Sequence, residues 1–460
     1  MPQTVKKKTT ARDMTSGNIA LQILLFSLPL MLGNIFQMLY NTVDSIVVGN
    51  FVGTEALAAV GSTTMIINML VFFFNGFAIG AGVVIGQLFG ARDMEKLHVT
   101  IETTITTTFI MGALFTIIGF LGVKPMLRFM DTPEDVMESA TTYLRIYFLG
   151  ISGLLVYNMG SGILRAVGDT TRPLYFLILT SVLNIILDLL FVIVFHMGVA
   201  GVALATIIAQ FISAILTMAL LIRTDDIYHF TWKDMQLNGK ILRRIFIIAL
   251  PAGIQSVITA FSNVFVQAYI NNFGSSVMAG WSCYNKLDTF IMLPMQSMAM
   301  AATTFVSQNI GAKKEKRANQ GTFTTILLCV SVTAVIATAL FFFAEPAVGL
   351  FTKDDKVIKA GAAFLHANVF FLLFNCVNHT LAGALRGRGD SQGPMFIMII
   401  SFVVIRQIYL YVITHFVANT TFLVGLGYPV GWSACFVLEL TYFLLRWGRK
   451  KKTPEEPAQA

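Results

Sequence analysis

Charge is what this sequence has least of. Only 12% of its 460 residues are Asp, Glu, Lys or Arg, against 56% apolar, a balance foreign to ordinary soluble domains. Cysteine is scarce as well. Cys283, Cys329, Cys376 and Cys435 all fall inside apolar runs without metal-ligand or redox spacing, so they read as buried hydrophobes. No G-x-x-x-x-G-K-S/T loop occurs, so the chain carries no sign of an ATP motor. Short alternating strands are missing, which excludes a membrane barrel. No basic stripe is interleaved with a base-stacking surface, so nucleic acid is not an expected partner. No His–carboxylate metal spacing or nucleophile–base set appears in the apolar runs, so neither an enzyme nor a cofactor is expected. The basic N-terminus leads into a long apolar helix with no small-residue cleavage site, and reads as retained.

What is present is a series of long apolar stretches, the mark of an all-α polytopic membrane protein. Twelve spans are expected, near 19–48, 56–88, 98–123, 136–164, 173–196, 199–222, 242–271, 277–309, 318–344, 357–385, 394–417 and 428–447. Their loops are charged unequally. Of the 32 Lys and Arg, 24 fall on the side that holds both termini and 6 on the other, with Lys286 and Arg406 inside spans. That asymmetry puts both termini on the cytoplasmic side. It also makes the net charge of +8 a consequence of topology.

The chain is written twice. ILRAVGDTTRP (163–173) matches ALRGRGDSQGP (384–394) at a shift of 221, and GQLFGARD (86–93) matches SQNIGAKK (307–314) at the same shift. Gln87 thereby pairs with Gln308 and Gly90 with Gly311, while Leu28-Pro29 meets Leu250-Pro251 at a shift of 222. Six helices per half is an even number, so both halves enter the membrane from one side. These are parallel repeats, and transporters of this kind place substrate between the halves. The division is a tail over 1–18, a first lobe over 19–222, a linker over 223–241, a second lobe over 242–447 and a tail over 448–460. The linker's Trp232 reads as interfacial. In the paired R-x-x-G-D loops, Arg and Asp are expected to tie a tight turn, with Gly permitting it and Pro starting the next helix.

Two acids stand alone in apolar runs: Asp44 in LGNIFQMLYNTVDSIVVGNF and Asp188 in YFLILTSVLNIILDLLFVIVF. An aspartate at mid-membrane costs about 2.5–3.5 kcal/mol, so it faces a cavity, a partner or an ion path. Counting along the helices puts Asp44, Asp188 and Thr206 at about 10–14 Å below the outer surface. Asn184 lies one turn from Asp188, and Asn41 three residues before Asp44, each on its partner's face. Two carboxylates in one dry pocket resist joint ionisation. They can share a proton or hold a sodium ion, with the proton preferred; a static polar core that ties helices together is the alternative. The second half lacks this set, since Phe265 or Val266, Ile405 and Tyr409 occupy the matching positions.

These features together resemble the MATE (multidrug and toxic compound extrusion) transporters over roughly residues 15–448. The likeness rests on LPLMLGNIFQMLYNTVDSIVVG, TSVLNIILDLLFV, GVAGVALATIIAQ and the G-Q-x-x-G-A after the second span. The acids of spans 1 and 5 are similar to those of the DinF-like and MepA-like branch. The resemblance implies a V-shaped pair of lobes, alternately open to each side, that exports bulky organic cations by cation-coupled antiport. It also implies that Asp44, Asn184, Asp188 and Thr206 form the coupling site. Another branch carries acids in helices 7 and 10; here those helices offer Gln255, Asn263 and Gln267, and Asn375 and Asn378, so a sodium site of that kind is not expected. Candidate cavity residues are Asn41, Asn158, Gln255, Asn263, Asp288, Asn375 and His379. Asp288 is expected to pair with Arg406 or Lys286, or else to face a cationic substrate. His379 reads as a core histidine, with a proton relay as the alternative. A monomer in the bilayer is expected. The rival reading is a lipid-linked oligosaccharide flippase, disfavoured by having only Lys286 and Arg406 as intramembrane cations. A channel is disfavoured by the lack of a ring of like charges.

Overall fold

The computed structural model describes residues 11–448. The outermost parts of the two expected tails, with Lys6, Lys7, Lys8 and the basic run after Gly448, lie outside the described residues. Among the described residues, twelve helices are long and apolar enough to cross a membrane. They are α1 (Ile19–Val52), α2 (Ala58–Ala91), α3 (Met94–Phe129), α4 (Glu134–Ala166), α5 (Thr171–Val194) and α6 (Gly198–Arg223) in the first half. The second half holds α7 (Gly239–Asn271), α8 (Ser275–Gly311), α9 (Glu315–Phe342), α10 (Asp355–Gly387), α11 (Gln392–Val417) and α12 (Thr421–Trp447). Each answers to one expected span, because a backbone in hydrocarbon must bond within its own helix.

Polar residues set the helix starts. The Asn18 side chain accepts the Leu21 amide at the head of α1, Asp93 accepts the Lys96 amide at α3, and Asn238 accepts those of Lys240 and Ile241 at α7. Each satisfies backbone donors that the first turn leaves free. α3 runs six residues past its expected end, taking in Lys124, Pro125 and Arg128. α12 begins seven residues early, where Thr420 caps a first turn at Thr421–Gly425.

The linker is folded, not free. Tyr228 and Phe230 are fully buried in the core of the first half, and Trp232, half exposed, lies against Phe109 and Phe230. The R-x-x-G-D turns also differ from expectation. Asp169 accepts the Thr171 and Arg172 amides and pairs with Arg172, while Asp390 accepts the Gly393 amide and pairs with Arg446. The aspartate therefore caps the following helix and leaves the motif's own Arg165 or Arg386 alone. Gly168 and Gly389 hold matching left-handed φ of +88° and +89°, which favours glycine there.

The halves meet along α2, α7 and α8, and the meeting points run from mid-helix to the end that carries both termini. Gly76 lies against Gly253, Gly80 against Ala249, Gly86 against Ser307 and Gly90 against Gln308. That end is therefore sealed. The seal obeys the internal repeat. Gln87 Nε2 donates to the Gly387 carbonyl at 3.0 Å, and Gln308 Nε2 donates to the Ala166 carbonyl at 2.9 Å. These are the same bond made twice, since both residue pairs differ by 221.

Candidate functional site

α1 and α5 pack along each other and bring Asp44 and Asp188 together. Asp44 is 9% exposed and Asp188 fully buried, and their carboxyls face each other within hydrogen-bonding range. A bond between two carboxyls requires a proton on one of them. Without it, Oδ1 of Asp44 and both oxygens of Asp188 have no partner in the protein, and neither amide atom of Asn184 has one. Groups this deep are normally satisfied, which marks the two carboxyls and Asn184 as the candidate site.

The surroundings are dry and aromatic. The Tyr143 hydroxyl on α4 lies within electrostatic range of both carboxyls and of Tyr40 on α1, and Tyr143 stacks on Tyr147 at 6.5 Å. The Gln210 side chain on α6 lies by the Tyr147 hydroxyl. An apolar cluster of Val47, Val48, Val192, Val199 and Val202 lies one turn further toward the end away from the termini. Both acid helices widen into a π-helical turn just past the acid, at Val48–Val52 and Leu190–Val194, a local irregularity common at functional sites.

Of the residues expected at this site, Asp44, Asn184 and Asp188 are buried together. Thr206 is buried on α6, which packs on α5, but its hydroxyl donates to Val202 O at 3.0 Å and not to a carboxylate. Asn41 is exposed and stands off the buried cluster. Tyr40, Tyr143 and Gln210 were not expected. A tyrosine in a membrane helix reads as bulk or as an interfacial anchor, and nothing in its local sequence gives its distance from an acid on another helix.

The second half carries the remaining candidates in separate places. Gln255 is buried with Nε2 on Met398 Sδ at 2.6 Å, and Asn375 is buried with Nδ2 at 3.3 Å from Met292 Sδ. Asn158 and His379 are both half-buried at matching points of the repeat. The expected pairing of Asp288 does not form among the described residues. Arg406 is 2% exposed; it donates Nη1 to exposed Asn263 at 2.8 Å and stacks over Phe402 and Tyr428 at 5.0 and 5.2 Å. An amide and two ring faces thus do what the carboxylate was expected to do. Lys286 is exposed over the Phe351 ring, and Asp288 stays half-buried with an unpartnered Oδ1. A cleft of about 560 Å³ between α7 and α8 is lined by Gln267, Ser282, Asn285, Lys286 and Thr289.

One acid escaped the sequence reading altogether. Glu439 on α12 is fully buried. It carries the signal that marked Asp44 and Asp188, a lone acid in an apolar run (CFVLELTYFLL), but its closeness to Arg446 makes it read as the end of a helix.

Comparison with known proteins gives a consistent result. The family model MatE matches twice, over residues 29–190 and 251–412, one match to each half. A probable multidrug resistance protein of Bacillus subtilis, YpnP, is 30% identical, with 96% of this chain and 98% of that protein covered. The multidrug export protein MepA of Staphylococcus aureus is 22% identical over 83% of this chain and 84% of its own length. Among solved structures, an outward-facing multidrug resistance MATE family transporter superposes with a TM-score of 0.91 at 23% identity, covering 97% of this chain and all of that one. A transporter of the same superfamily from Pyrococcus furiosus superposes with a TM-score of 0.89 at 22% identity and 96% coverage.

Proposed function

The chain belongs to the MatE family of multidrug transporters, and from that membership we propose that it is a secondary-active antiporter exporting organic cations, driven by protons taken up at Asp44 and Asp188. The observation that carries this reading is the facing pair of buried carboxyls with unpartnered oxygens. One proton between them supplies the missing donor and removes a like-charge repulsion, so the pair holds a proton readily when dry and yields it when wetted. Sodium is the alternative occupant: the two carboxylates, Asn184 Oδ1 and the Thr206 oxygen, whose lone pairs stay free while its proton goes to Val202 O, are the oxygen ligands it would use.

The sealed terminus side matches a state open to the outside, with the termini in the cytoplasm of the plasma membrane. In the cycle we propose, a proton arriving from outside occupies the pair and favours release of substrate. The lobes then rock, the pair meets the cytoplasm, and the proton leaves as new substrate enters. Moving one charge with the membrane potential supplies about 2.3 kcal/mol per 100 mV. One chain holds both lobes, so a monomer suffices. The test is ethidium efflux from proteoliposomes under a pH gradient alone and then a sodium gradient alone. Efflux under the first and not the second is expected; the reverse would replace the proton with sodium.

A further inference from the structure

A carboxyl that this cycle does not use lies at the opposite depth, in the other half. Glu439 is fully buried on α12. On its own helix, Cys435 brings Sγ to 3.7 Å from Oε2, a weak thiol donor, while Oε1 has no partner. From α10, Arg386 acts on it electrostatically. No ion-pair contact joins the two among the described residues, and the Arg386 Nε is itself buried and unpartnered. From α11, fully buried Ser401 lies by the Cys435 thiol, its hydroxyl oxygen without a partner. His379, two turns before Arg386 on α10, is the other titratable group on that face.

The rim groups are engaged elsewhere. Asp390 holds Tyr442 and Arg446, and Arg388 stacks on Phe443 and Trp447. The first half has Met218 at the position matching Glu439, so this acid, like the Asp44–Asp188 pair, is not duplicated. The Asp44–Asp188 pair in the first half thus lies toward one end of its helices and Glu439 in the second half toward the opposite side.

We infer that Glu439 is a second proton-carrying site of the transport cycle, placed in the second lobe and opening to the cytoplasmic side. The inference rests on the proton-coupled reading above. In the sealed state the carboxyl is neutral and keeps its proton, since neither the thiol nor Arg386 closes on Oε1. When the terminus side opens, water reaches it, the proton passes to that water, and the carboxylate draws in Arg386 through the free Nε; once the seam closes again, the carboxylate takes its next proton from water on the outside-open side, so one proton crosses per cycle. Arg386 immediately precedes Gly387, whose carbonyl takes the Gln87 amide across the seam between halves. Proton loss at Glu439 therefore favours the open seam, and proton gain favours the closed one.

The experiment counts protons moved per ethidium in proteoliposomes, for wild type, Glu439→Gln and Glu439→Asp. Glu439→Gln is expected to keep ethidium transport and lower the count by one, while Glu439→Asp restores it. An unchanged count in a transporting Glu439→Gln protein would overturn the site. Infrared difference spectra on a pH step decide the matter if Glu439→Gln fails to fold or if wild type shows no proton-driven flux. A protonated-carboxyl band that shifts in Glu439→Asp supports the site, and its absence from wild type overturns it. Absence of wild-type proton-driven flux would remove the coupling reading while this band still reports on Glu439.

Discussion

Asp169 shows what a single carboxylate does outside the membrane-spanning segments. Its Oδ1 takes the Thr171 and Arg172 amides at 3.2 Å each and so caps α5, the helix that carries Asp188. Burial lifts its pKa above the ordinary carboxylate value, against the opposing pull of those amides and the Arg172 guanidinium. A carboxyl raised in this way binds its proton more tightly folded than unfolded, so stability rises as pH falls from neutral toward the unfolded value of about 3.9. Asn caps as well as Asp but does not titrate. Asp169→Ala is therefore expected to cost about 0.5–2 kcal/mol, read as a lower Tm. Asp169→Asn should cost less and lose this residue's share of the pH dependence, read from melting curves between pH 4.5 and about 7.5.

At the scale of helices, the terminus-side seam is a contact between backbones. A Cβ on Gly90 would lie 1.9 Å from the Gln308 carbonyl oxygen, and one on Gly311 would lie 1.9 Å from that of Gln87. No side chain fits there while the seam is shut, and forcing extra atoms into packed contacts costs about 1–3 kcal/mol. Gly90→Ala and Gly311→Ala are each expected to tip the molecule toward the state open at the terminus side. The native cysteines are all buried, so maleimide labelling of Ser307→Cys, a fully buried seam position, reports the opening. Labelling as slow as in the glycine parent would contradict the role given to the seam.

The segment before α1 spans that seam like a strap. Arg12 N donates to Val167 O at 2.9 Å in the first half, and Met14 N donates to Gln308 Oε1 at 2.9 Å in the second. Met14 is fully buried, Arg317 donates to Met14 O and Ser16 O, and Lys314 donates to Thr15 O. A hydrogen bond of this kind contributes about 0.5–1.5 kcal/mol net. Counting only the part-buried bond to Met14 O, Arg317→Ala should speed labelling at the same reporter by roughly two- to tenfold. The Asp13–Arg92 pair, at 3.6 Å with Arg92 80% exposed, adds little, as surface pairs do.

Taken whole, the molecule is two similar six-helix bodies with unlike polar interiors. Twelve spans, the repeat and the first-half acids could all be read from hydropathy and a shift of 221, because those features are periodic and local. Asp288, Arg406 and Glu439 could not be placed that way. Whether Arg406 meets a carboxylate, or Asn263 and two rings, depends on the rotation of α7, α11 and α12 about one another, and no stretch of sequence encodes that alone. The strap was missed for the same reason: Arg12 to Ser16 read as a polar tail until their backbone partners 150 to 300 residues away are known. Gln87 and Gln308 were visible as a repeat, but only the closed seam shows that they make one bond twice.

The whole-molecule account turns on a proton exchanged at the facing pair, and Asp188→Asn isolates it, since the amide keeps the shape and gives up titration. The direct measurement is ethidium efflux driven by a pH gradient in proteoliposomes holding wild type or Asp188→Asn at equal amounts, with folding checked by melting temperature. Efflux at background in a variant that melts like wild type is the predicted result; efflux at the wild-type rate would contradict the account.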